Sequence, residues 1–65
     1  MEDTMNIYFF LVMKQKITME LIAKAYGVKT FEITYCKNGI IGKCQGTNRM
    51  VEMFRKNGIE IISIA

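Results

Sequence analysis

Ile17-Thr-Met-Glu-Leu-Ile-Ala-Lys-Ala-Tyr-Gly-Val-Lys-Thr-Phe-Glu-Ile33, running on through Thr34, Tyr35 and Cys36 to Lys37-Asn38-Gly39, is the stretch on which the fold turns. Its first half is helical in pattern. Thr18 suits an N-cap, Glu20 falls in the first turn near the positive end of the dipole, and Leu21, Ile22, Ala25 and Tyr26 recur at helical spacing. Gly27 supplies the left-handed residue that ends such a helix. The second half can be read two ways. As a second helix, Thr30 caps it, Ala23 is the small residue where two helices cross, Gly27 makes the turn, and Val28 and Ile33 plug it. As a strand, Phe31, Ile33 and Tyr35 alternate, the residues are β-branched or aromatic, and Lys37-Asn38-Gly39 is a hairpin turn.

The flanks allow both. The run Ile7 to Met13 is apolar on every face, so its period cannot separate helix from strand. Gly46 or Thr47 caps an amphipathic helix with Met50, Val51, Met53 and Phe54 inward and Arg49, Glu52, Arg55 and Lys56 outward. Asn57-Gly58 stops it, and Ile59 to Ile64 reads as a short strand. Joint spacing of turn and tail favours a mainly α domain of about four helices with a C-terminal strand, residues 1–65 forming one unit. The alternative is α+β, strand-helix-strand-strand-helix-strand, the ferredoxin-like arrangement. Its strands are Asn6 to Met13, Thr30 to Lys37, Ile40 to Gln45 and Ile59 to Ile64, and the apolar first segment becomes a central strand buried on both faces.

Composition narrows the function. Sixty-five residues bury about 60% of their unfolded surface, so a lone chain is marginal. Half the residues are hydrophobic, which suggests self-association. Net charge is +3, and from Lys14 to Lys43 six lysines face two glutamates. A basic middle suits a polyanion. With no histidine and no carboxylates paired near a nucleophile, no catalytic constellation stands out, so an enzyme is not expected. The apolar run is too short to span a bilayer, and two unpaired-looking thiols point to the cytoplasm. No cofactor, metal or membrane partner is implied. Cys36 reads as a buried thiol and Cys44 as a loop residue, with a redox pair the minor option.

The Ala23, Gly27, Val28 and Ile33 spacing, together with Thr18 and the tail from Thr47 to Ile62, resembles the lambda-repressor-like (XRE/Cro) helix-turn-helix family. Met19 stands where that family often has a glutamine that reads a base or phosphate. The resemblance implies a recognition helix from Lys29 to Lys37 and a small transcriptional repressor, encoded by a phage or mobile element. It would bind double-stranded DNA as a homodimer on a palindromic operator, with half-sites about 34 Å apart. Contacts to DNA are expected from Thr18, Met19, Lys29, Thr30, Phe31, Thr34, Tyr35, Lys37 and Asn38. The first segment has more apolar residues than one core face can use, and the tail strand leaves a free edge. Phe9, Phe10, Met13, Ile61, Ile62 and Ile64 are therefore the expected dimer interface. On the ferredoxin-like alternative the expectation is instead an interaction module or small inhibitor.

Overall fold

The computed structural model describes residues 3–65 and shows an α+β fold, not the mainly α domain expected. Strand β1 (Met5–Leu11) leads through a single 3-10 turn (Met13–Gln15) into helix α1 (Lys16–Ala25). Strands β2 (Glu32–Cys36) and β3 (Gly39–Gly46) follow, then helix α2 (Asn48–Lys56) and strand β4 (Glu60–Ile64). The antiparallel sheet has the order β2-β3-β1-β4, so each helix links two strands separated by a third. This is the ferredoxin-like arrangement held as the alternative.

The segment that misled is β2. Its β-branched and aromatic residues, Ile33, Thr34 and Tyr35, pair with Gly42, Ile41 and Ile40 across a two-residue loop. Ladder bonds to β3 across the hairpin satisfy the backbone that a helix would have paired within itself. Lys37 and Asn38 form that loop without positive φ, so it is not the primed turn common in tight hairpins. Cys36 donates its thiol to the Gly39 carbonyl at 3.4 Å across the same loop.

Alternation along β1 sends Ile7, Phe9 and Leu11 to the helices, and all three are fully buried. They meet Met19, Ile22 and Ala23 of α1 and Met50, Val51 and Phe54 of α2. The Phe9 and Phe54 rings pack edge to face with centroids 5.2 Å apart. Gly42 lies opposite Phe9 on β3, and the Phe9 ring occupies the space its missing side chain leaves.

Helix boundaries also shift. α1 starts at Lys16, so Thr18 lies inside its first turn and does not cap it. The inward face is Met19, Ile22 and Ala23, which leaves Leu21 and Tyr26 largely exposed and corrects their expected packing. Thr47 does precede α2 with extended backbone, yet its hydroxyl makes no capping bond and is buried without a partner. Gly27 has φ of 81°, so the left-handed turn is where the sequence puts it, but it leads to a strand. Gln15 ties the two helix ends together: its amide accepts from the Val12 amide and donates to the Gly58 carbonyl, both at 3.0 Å.

Candidate functional site

The two helices cover one face of the sheet and leave the other open. Cross-strand register sets two rows on that open face. Glu32, Lys43, Tyr8 and Ser63 form one, and Thr34, Ile41, Phe10 and Glu60 the other. Asn6 and Gln45 extend it at one end, Cys36 at the other. A solvated sheet face normally carries polar and charged side chains. Here Tyr8, Phe10 and Ile41 sit together on the central strands, and among the described residues the only charges on this face are Glu32, Lys43 and Glu60. Two of those are internally compensated. The Lys43 ammonium lies 3.8 Å from Glu32 and 5.6 Å from the Tyr8 ring centroid. Its charge is paired within the monomer, and the described residues of the face sum to one negative charge.

The residues expected to contact DNA are dispersed. Met19 is fully buried in the core. Lys29 and Thr30 lie in the loop before β2, Phe31 packs from that loop against the core, and Thr34 and Tyr35 are on edge strand β2. Lys37 and Asn38 form the β2–β3 turn. The helix-turn-helix set is likewise split. Ala23 is buried in α1, Val28 packs at the loop, and Ile33 is in a strand, so no second helix is clasped over Ala23. Of the expected interface, Phe9 is core, Phe10 is on the open face, Met13 is exposed beside α1, and Ile61, Ile62 and Ile64 lie on edge strand β4. Tyr8 and Ile41 were missed. The signal was present in β1, whose lack of alternation implies two covered faces where one chain supplies one cover.

A groove of about 500 Å³ opens at the end of the sheet beneath the 26–31 loop. It gathers Lys29, Thr30 and Phe31 with Asn6, Gln45 and Thr47, and its wall includes the Glu32–Lys43 ion pair and the buried Cys44. Among the described residues no three His, Cys, Asp or Glu side chains stand close enough to hold a metal. Among the described residues no helix is long and apolar enough to cross a membrane.

The cysteines exchange their expected places. Cys36 is exposed at the sheet edge and Cys44 is buried opposite Ile7. Burial pushes the Cys44 thiol up to about 11. A maleimide at pH 8 should therefore label one site on the native chain and two after denaturation, read by intact mass. Because the unfolded thiol titrates near 9, its contribution to stability is complete below that pH and lost as pH rises toward 11. Two rapid native labels would contradict this packing.

Comparison with protein-family models, with curated proteins and with solved structures finds no match for the chain.

Proposed function

We propose that the chain is a non-catalytic interaction module that works as a homodimer, two copies packing the open faces of their sheets together. The supporting observation is the apolar cluster Tyr8, Phe10 and Ile41 at the centre of an uncovered, charge-poor sheet. A strand apolar on both sides is the pattern of one buried on both sides. Four strands of this length span about 400 Å² in projection, at ~4.8 Å between strands and ~3.4 Å per residue. Pleating and side chains raise the accessible area toward the ~600 Å² per partner at which specific interfaces begin. That size fits a weak, concentration-dependent dimer. The repressor expectation loses the element it rested on, because the segment proposed to read bases is an edge strand.

Sedimentation equilibrium over a wide concentration range tests this. The wild-type chain should shift from monomer toward dimer, while Ile41→Lys should stay monomeric with an unchanged circular dichroism spectrum. Ile41 is 43% exposed, so a lysine there leaves the monomer core intact. If Ile62→Lys on β4 abolishes dimers and Ile41→Lys does not, association runs through the strand edge and the face-to-face proposal fails.

A further inference from the structure

The opposite side of the molecule carries a second feature that the core leaves unused. With Met19, Ile22 and Ala23 turned inward, the helical period points Ile17, Leu21 and Lys24 straight at solvent. Ile17 is 70% exposed and Leu21 63%, and Met13 from the preceding turn continues the line at 58%. Positions 13, 17 and 21 form an aliphatic ridge about 12 Å long at ~1.5 Å per residue. Charge is concentrated around it. The 3-10 turn and the two helices hold Lys14, Lys16, Lys24, Arg49, Arg55 and Lys56 against Glu20 and Glu52, a balance of +4. The rest of the chain sums to −1, so the whole excess of positive charge lies on the helical layer.

We propose that this helical layer docks on an anionic lipid surface, the Met13–Ile17–Leu21 ridge entering the headgroup boundary while Lys14 and Lys24 next to it in the chain, with Arg55 and Lys56 of α2, meet lipid phosphates. Three properties select that occupant. A second copy is disfavoured, because stacking two such layers sets +4 against +4. A nucleic acid would use the cations but gain nothing from bare aliphatic side chains, and the ridge offers no ring for a base to stack on. A protein hot spot is typically built on Trp, Tyr or Arg anchors, whereas the centre here is Met, Ile and Leu. Aliphatic ridge plus cationic rim is the pattern of a helix lying at a bilayer surface. This docking departs from the sequence reading, which implies no membrane partner because the apolar run is too short to cross a bilayer; lying on a surface needs no crossing segment. It does not rest on the dimer either, since the sheet face points the other way.

Co-sedimentation with vesicles tests it, using phosphatidylcholine alone and phosphatidylcholine with one third phosphatidylglycerol. The wild-type chain should bind the anionic vesicles at least tenfold better than the neutral ones and release as salt is raised. Ile17→Ser/Leu21→Ser should lose at least tenfold of that binding, with its circular dichroism spectrum unchanged because both positions are exposed. Lys14→Glu/Lys24→Glu should lose it as well. Absence of wild-type binding to anionic vesicles overturns the proposal. So does full binding by the serine variant, which would reduce the effect to adsorption of a cation. Tighter binding to a single-stranded oligonucleotide, insensitive to the serine changes, would assign the layer to nucleic acid and overturn it too.

Discussion

Met19→Gln should unfold the chain. The change is chosen because two folds predict opposite results from it. In a lambda-repressor-like domain this position begins the helix that approaches DNA, and a glutamine there is the common residue. On that reading the substitution is harmless to stability and improves DNA contact. In the observed fold Met19 has no exposure and is packed among Ile7, Phe9, Leu11 and the α2 side chains of one shared core. Glutamine removes the transfer free energy of a buried methionine, about 1.5–3 kcal/mol. It also buries an amide without a partner, at about 1–3 kcal/mol more. A core this small rarely supplies more than about 3–5 kcal/mol in total. The expected result is loss of the cooperative thermal transition. A Met19→Leu control should keep it, since near-isosteric apolar exchanges typically cost under ~1.5 kcal/mol. A stable, cooperatively folding Met19→Gln protein would refute the packing of α1 described here.

The ends of the sequence were more legible than its middle. α2 and β4 announce themselves: Met50, Val51 and Phe54 at helical spacing, Asn57-Gly58 as the stop, Ile59 onward as the strand. Gly27 likewise declares a left-handed turn, and it has one. What Gly27 cannot declare is the element that follows, because a helix followed by a helix and a helix followed by a strand use the same turn residue. The decision lies in Thr30 to Cys36, where the β-branched and aromatic residues prefer strand and Glu32–Cys36 adopt it, against the spacing that favours a second helix. Spacing of Ala23, Gly27, Val28 and Ile33 satisfies a helix pair and an α–β corner equally well, since both place a small residue under a crossing chain. The surface proposed for dimerisation was half legible. β1 was recognised as having more apolar residues than one core needs, but which of them remained outside depended on strand parity. Parity puts Phe9 in and Phe10 out. The ridge on α1 was hidden by its own regularity, because Leu21, Ala25 and Tyr26 obey the helical period yet lie off the inward arc centred on Met19, Ile22 and Ala23.

A pair of glycine substitutions on β3 tests the sheet-to-helix packing most severely. Gly42 and Gly46 both face the helices, and at both an added Cβ would overlap a neighbour. The neighbours differ in what they can do about it. At Gly46 the obstruction is the terminal methyl of Met50, with the end of Ile7 beside it, both ends of flexible chains. At Gly42 it is the far end of the Phe9 ring, which is fully buried and packed edge to face with Phe54. A ring has two torsions and no slack when both sides are filled. Gly46→Ala should therefore cost about 1 kcal/mol or less, with Met50 taking another rotamer. Gly42→Ala should cost about 3 kcal/mol, the upper end for overpacking, and Gly42→Val should exceed what the domain can lose. Urea titrations followed by circular dichroism read the difference directly as a fall in midpoint. Adding Phe9→Leu to Gly42→Ala should recover part of the loss, because it removes the ring that the new methyl meets. Equal midpoints for the two alanine variants, or no recovery in the double variant, would mean that Phe9 does not lie over Gly42 and that the pairing of β1 with β3 has a different register.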